Sequence, residues 1–199
     1  MSTIRKTKWS IDHIHSEISF KIEHLMIAQI KGSFKEFDAS IYTKNKDFTT
    51  VEIDLWINPA SISTGDASRD AHLKGPDFLD VIHHKQITFN ASAMGPADPD
   101  GKHVLWGELT IKGISQDIKL TIVFGGMVTD PWGNEKAGFT ATGKIRRSDW
   151  GLTWNKAIES GGILVGEEVF ISFEAELVNT PLKTLRMELG PSTRNFPKI

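Results

Sequence analysis

The chain contains no cysteine among its 199 residues. That absence excludes disulfides, thiolate metal centres and a cysteine nucleophile, and it leaves the redox compartment open. No apolar run is long enough to span a bilayer, and the opening MSTIRKTKWSIDHIHS has basic residues with no apolar stretch behind them. The expectation is a protein without a signal peptide and without a membrane span, and hence a cytoplasmic one. Charge of one sign is also scarce. A formal net charge of −2 and the lack of a basic tract give no reason to expect nucleic acid as a partner. The cluster Arg5, Lys6 and Lys8 reads as a solvated tail. The local signatures of common chemistry are missing too: no serine nucleophile elbow, no HExxH, no P-loop and no glycine-rich loop opening a helix.

What is present is the two-residue alternation of half-buried strands. Ile18, Phe20 and Ile22 share one face, opposite Glu17, Ser19, Lys21 and Glu23. Gly32 precedes Phe34, Phe37, Ala39 and Ile41. Val51, Ile53, Leu55 and Ile57 alternate with Glu52, Asp54, Trp56 and Asn58 until Pro59 ends the run. The pattern returns in Ile87, Phe89, Ala91 and Ala93, and in Leu105, Leu109 and Ile111. After the tight turn Lys112-Gly113 come Ile118, Leu120, Ile122 and Phe124, then Phe139, Ala141, Gly143 and Ile145, and finally Val169 to Leu177. At least eight strands with short connections and no βαβ rhythm predict an all-β chain. The expected fold is an antiparallel up-and-down β-barrel of about eight strands, whose closure removes exposed edges. With 39% apolar residues the core is substantial. Residues 1–180 form a single domain, and 181–199 a C-terminal extension with an amphipathic helix around Leu182–Leu189.

One stretch breaks the pattern. From Ser61 to Asp80, Asp66 suits a helix N-cap, Gly75 a helix end, and Pro76 the first turn of a second short helix holding Phe78 and Leu79. A short helical plug between two strands of a barrel predicts a cover. Within it Arg69 and His72 share a helical face while Asp70 is turned about 100° from Arg69, so spacing does not make a catalytic relay of them. Arg69, Asp70 and His72 are expected to pin the plug to the barrel rim or meet a ligand's head group. His13 and His15, two apart, would share a strand face, and with His24 or His72 they offer a conceivable zinc or copper set; the expected reading is strand-end histidines hydrogen-bonded to a neighbouring loop, with no metal. His83 and His84 are expected at the surface.

The plug also carries a resemblance. Arg69-Asp70-Ala71-His72-Leu73, Pro76-Asp77-Phe78-Leu79-Asp80 and Ile87-Thr88-Phe89 resemble the central signature of the YceI-like family. Three blocks agree in order: Trp9 to Phe20 with His24 after it, Gly107 to Gly113, and Arg146 to Leu152. The likeness runs from about Trp9 to Leu177. It implies an extended lipocalin-like barrel holding a long polyisoprenoid or similar lipid, and a homodimer, for which outward Trp56 and Trp106 offer apolar surface. Many relatives carry an export signal, and this sequence is expected to depart from that pattern.

Periodicity alone cannot separate a packed core from a lined cavity, and the resemblance favours the cavity. Its expected lining is Ile18, Phe20, Ile22, Phe34, Phe37 and Leu55 from the first half of the chain. From the second half come Phe89, Ala91, Leu109, Ile111, Leu120, Ile122, Phe139, Ala141, Ile171 and Phe173. Leu73, Phe78 and Leu79 would cover one end. The expected function is a carrier or sequestering protein for a polyisoprenoid, an isoprenoid quinone or a fatty amide or acid, with no catalysis and no cofactor. Two alternatives are an enzyme acting at the barrel mouth through His13, His15, Asp70 or His72, and a stress-related interaction module with a filled barrel.

Overall fold

The computed structural model describes residues 6–157 and 164–180. The segment Leu182–Leu189 and the rest of the proposed extension lie outside the described residues. In chain order the strands are β1 (Lys6–Ile11), β2 (Glu17–His24), β3 (Ala28–Phe34), β4 (Phe37–Lys44), β5 (Asp47–Ile57) and β6 (Ile62–Ser63). Helix α1 (Ala67–Lys74) follows, then β7 (Ile87–Met94), β8 (Lys102–Ile111), β9 (Ile114–Thr129), β10 (Glu135–Arg146) and β11 (Val165–Thr180).

Antiparallel pairing runs β1-β4-β5-β7-β8-β9-β10-β11, and β11 returns to β1 to close the ring. The chain is therefore an up-and-down β-barrel of eight staves, with a single α-helix among the described residues. Three neighbouring staves are each broken in two. The first half of β11 pairs with β2 and its last residues pair with β1, so β1 and β2 form one interrupted stave. In the same way β3 and β4 flank β2 and β1, and β6 extends the line of β5 by pairing with β3.

The interruptions are stitched by side chains, because backbone groups that lose a ladder partner need another. Ser16 Oγ accepts from Glu176 N–H at 3.0 Å, and Asp12 N–H donates to Glu176 O at 2.8 Å. Ser61 Oγ accepts from the N–H groups of Lys35 (3.1 Å) and Glu36 (3.0 Å), and Asn58 N–H donates to Glu36 O at 2.9 Å. The apolar run from Phe34 to Ile41 is thus shared between two strands that meet at this line. The basic cluster expected as a tail is corrected as well: Lys6 and Lys8 belong to β1, where Thr7, Trp9 and Ile11 point inward. Lys6 Nζ lies 2.7 Å from Glu52 and over the Tyr42 ring.

Inside, the wall is levelled by large side chains lying over glycines. A Cβ on Gly32 would come within 2.4 Å of the Phe20 ring, and one on Gly107 within 2.4 Å of the Phe89 ring. On Gly143 it would meet Leu120 at 2.6 Å. A glycine facing an aromatic ring across a curved sheet lets the ring lie flat along the wall rather than project into the lumen.

Candidate functional site

A cavity of about 630 Å³ occupies the barrel interior, walled by side chains from all eight staves. That volume sits within the range of small-molecule sites, and it exceeds what an eight-strand barrel keeps when its lumen is packed with its own side chains. The two ends differ. At one end Phe48 stands 4.9 Å from Trp9, 5.9 Å from Phe124 and 4.7 Å from Phe139, ring centre to ring centre. Trp9 is wholly buried and donates its indole N–H to Thr43 Oγ1, so this cluster is anchored as well as packed.

At the other end lies the plug. Asp66 caps α1 by accepting from Arg69 N–H at 2.8 Å, and this bond holds its carboxyl below the usual carboxylate range. The second short helix expected over Pro76–Leu79 is instead a set of turns. Its N–H groups reach back to the end of α1, Leu79 to Leu73 O and Val81 to Lys74 O, which satisfies helix-end carbonyls rather than starting a new helix. The turn buries Phe78 and Leu79. Arg69 and Asp70 both grip Thr64, the residue leading into the helix. Asp70 accepts from its N–H (2.8 Å) and hydroxyl (2.6 Å), while Arg69 donates to Thr64 Oγ1 (2.7 Å) and O (3.0 Å). His72 Nε2 is 3.0 Å from Asp77, and its ring meets Phe78 and Trp154 edge-on. Exposed Asp66, Ser68 and His72 stand on the cavity wall with Arg69 and His24, so the cavity opens beside α1, between the plug and the β2–β3 hairpin.

Arg147, one residue past β10, is 4% exposed. It donates to the carbonyls of Gly166 (2.8 Å), Trp154 (2.9 Å) and Leu152, tying the segment after β10 to the start of β11. Burial pushes its pKa down, with Glu167 at 3.9 Å opposing that shift. This side chain builds the rim.

Most apolar residues named from the sequence stand on the cavity wall, including Leu73, Phe78 and Leu79 of the plug. Phe37 and Ala91 do not. Phe37 is set back at the broken staves, with its ring against His13 and Phe173. Ala91 pairs with Ile53 and Gly107, beside the Phe89 ring. Of the wall residues that escaped the sequence pattern, Met94 and Phe48 did so for one reason. Each lies past a register shift, on β7 after Ala91 and at the β4–β5 end. An extra residue in a strand flips which side chains face inward. Ala93, expected inward, is accordingly exposed and Met94 takes its place.

The structure separates the residues of the expected enzyme alternative. His13 and His15 are in the exposed Asp12–Ser16 break rather than on a strand face, whereas Asp70 and His72 belong to the plug. His13 faces Asp38 at 3.7 Å. His15 Nδ1 is 3.0 Å from Asp12, and Glu176 completes a group with metal-ligand spacing. Lys136 already holds that group together, with Nζ 3.1 Å from Asp12 and 2.6 Å from Glu176. The His15 hydrogen bond, and after it Lys136, hold the Asp12 carboxyl well below the usual range. His83 bonds Asp80 at 2.9 Å.

A family model described as YceI-like domain matches residues 9–177. The chain belongs to the YceI-like family. A UPF0312 protein of Staphylococcus aureus strain N315 is 36% identical over 171 residues, covering 85% of this chain and 96% of the relative. The crystal structure of a Campylobacter jejuni YCEI protein superposes with a TM-score of 0.67 at 32% identity, covering 80% of this chain and 90% of the other. A domain from Saccharophagus degradans, described as polyisoprenoid binding and implicated in plant cell wall breakdown, shares the fold with a TM-score of 0.62. Its identity is 13%, with 86% and 98% of the two chains covered. YceI-like membership thus agrees with the signature blocks at Arg69–Asp80 and Arg146–Leu152, which the structure places on the plug and at the rim.

Proposed function

We infer that the protein binds one long apolar chain inside the barrel, with the chain's polar end at the plug, and carries or sequesters it. The carrying observation is the distribution of chemistry along the 630 Å³ cavity. Apart from Ser19 and Ser172 the wall is apolar from the ring cluster upward. Charged and polar side chains gather toward the plug end in Asp66, Ser68, Arg69 and His72 of the plug, His24 at the end of β2 and Arg147 at the rim. That gradient matches an amphiphile, such as a polyisoprenoid alcohol, an isoprenoid quinone or a fatty amide or acid. The description of the Saccharophagus degradans domain as polyisoprenoid binding points the same way.

Magnitudes favour length. At about 0.8 kcal/mol per buried CH₂, a five-carbon isoprene unit contributes roughly 4 kcal/mol gross. Association itself costs about 4–15 kcal/mol, so a few units must be buried before binding is net favourable. The reading needs no catalytic group: His13 and His15 lie in the break between β1 and β2, and Asp70 and His72 lie on the plug, where Asp70 is engaged with Thr64 and His72 with Asp77. Organic extraction of purified protein followed by mass spectrometry tests it. The expected result is a long-chain lipid near one per barrel. A protein that yields none, and whose melting temperature does not rise when a long isoprenoid alcohol is added, overturns the reading.

A further inference from the structure

Three hairpins of this barrel turn through two consecutive left-handed residues. They are Asn45–Lys46 between β4 and β5 (φ 51° and 64°), Lys112–Gly113 between β8 and β9 (51° and 73°), and Leu25–Met26 between β2 and β3 (53° and 60°). Such turns favour Asn, Asp and Gly, which tolerate positive φ and leave polar groups to water. The first two comply at one position each, with Asn45 and Gly113, and place a polar lysine at the other. The third places a leucine and a methionine where a Cβ is unwelcome, closed by Ile27 N–H donating to His24 O at 3.2 Å. Leu25 is half-buried, but core packing does not account for the rest of the turn: Met26 is 68% and Ile27 86% exposed. A strained turn that displays apolar side chains to water conflicts with local and global preference together, and such conflicts concentrate at functional sites.

The turn's position gives the conflict a purpose. Its base, His24, and Ile22 and Ile30 beside it stand on the cavity wall at the opening next to α1, and Leu25 N–H is tied to Leu164 O at 3.0 Å. Ile82, on the segment returning from the plug to β7, is 73% exposed at the same end of the barrel. Between Glu23 and Lys31 the sequence His-Leu-Met-Ile-Ala-Gln-Ile has no carboxylate or ammonium, so entering a lipid interface strips water from no fixed charge.

We propose that the Leu25–Ile27 turn inserts into a lipid surface and sets the cavity mouth against it, so that the ligand passes between membrane and barrel without crossing water. The proposal rests on the reading of the barrel as a lipid carrier and adds where loading occurs. Its contact is a lipid surface rather than a second copy of the chain, because the exposed apolar turn and the cavity opening lie side by side. A paired copy there would obstruct the route by which ligand enters.

The test uses the double variant L25N/M26G, which installs the residues this turn geometry favours and touches no residue of the cavity wall. Delipidated wild type and variant are floated with phosphatidylcholine vesicles. Both are then given a nine-unit isoprenoid alcohol, once from ethanol and once from the same vesicles. Wild type should float. The variant should float roughly tenfold less and take alcohol from vesicles roughly tenfold more slowly, a difference of about 1.4 kcal/mol. Its urea midpoint should not fall, and its uptake from ethanol should match wild type. Equal flotation of the two proteins, or no flotation of wild type, overturns the proposal. If wild type floats yet takes up no alcohol from ethanol, the carrier reading fails while the membrane contact stands.

Discussion

The two ends of the barrel obey different rules. At the end built from β1, β4 and β5, Trp9, Phe48, Phe124 and Phe139 form a ring cluster, and the connecting turn Asn45–Lys46 is polar, with an asparagine at its first left-handed position. At the plug end, polar side chains stand on the cavity wall, a capped helix lies across the barrel, and the adjacent hairpin turns through Leu25 and Met26. One end is organised for stability and the other for access. If that division holds, substitutions at the ring cluster should change folding and those at the plug should change binding.

Trp9→Ala should have the largest effect. It deletes a wholly buried indole and leaves Thr43 Oγ1 without its donor, so a loss of about 3–5 kcal/mol in urea unfolding is expected. A loss much below that would mean the cluster is not the barrel's anchor. Next comes Leu73→Asp combined with Phe78→Asp, which puts two carboxylates against the cavity at the plug end. Lipid retained through purification should drop on the order of tenfold, about 1.4 kcal/mol, while the circular dichroism of the strands is kept. Undiminished retention would show that the plug is not a cover.

Ala91→Trp and the Asp12 cluster probe the region between the ends. Ala91 is off the cavity wall and partly buried against the core, so an indole there should overpack and cost about 1–3 kcal/mol without altering lipid capacity. Asp12 tests the broken staves. Its carboxyl is held down by His15 and Lys136, so its contribution is complete above about pH 4, where an unfolded aspartate is ionised. The contribution fades as pH falls below that. Lys136, raised by Glu176 and Asp12, behaves in the opposite sense and loses its contribution only at alkaline pH. Asp12→Asn should therefore flatten the acid limb of a stability–pH curve and lower stability at pH 7 by about 1–3 kcal/mol. An unchanged acid limb would place the stitching elsewhere.

Much of this architecture is legible in the sequence. Alternation at Ile18–Ile22, Val51–Ile57 and Leu120–Ile122 follows from side chains facing opposite sides of a strand, and Asp66 marks the helix start because an N-cap carboxylate satisfies a free N–H. What was not legible depends on register. The bulges that bring Met94 and Phe48 inward shift parity by an amount no two-residue pattern contains. The splitting of β1 from β2 and of β3 from β4 rests on the Ser16 and Ser61 hydroxyls and the Asn58 N–H meeting backbone partners far away in sequence. Basic residues at Lys6 and Lys8 concealed the inward Thr7 and Trp9 of β1. At the site, the wall was readable from periodicity, but the position of the opening beside α1 was not, since it is made where the plug, the β2–β3 hairpin and the start of β11 converge.

The central claim is that the lumen between the two ends holds a ligand rather than side chains, and Ala141→Trp addresses it most directly. Ala141 lies on the cavity wall between Ile122 and Phe173, so the added indole would enter the lumen. Delipidated variant and wild type would be compared by urea unfolding and by calorimetric titration with a nine-unit isoprenoid alcohol. The account predicts a stability change smaller than about 1 kcal/mol, below the usual overpacking cost, together with affinity weakened by roughly tenfold or more. A loss of about 1–3 kcal/mol or more with undiminished binding would show that the barrel is packed solid there, and would contradict the account.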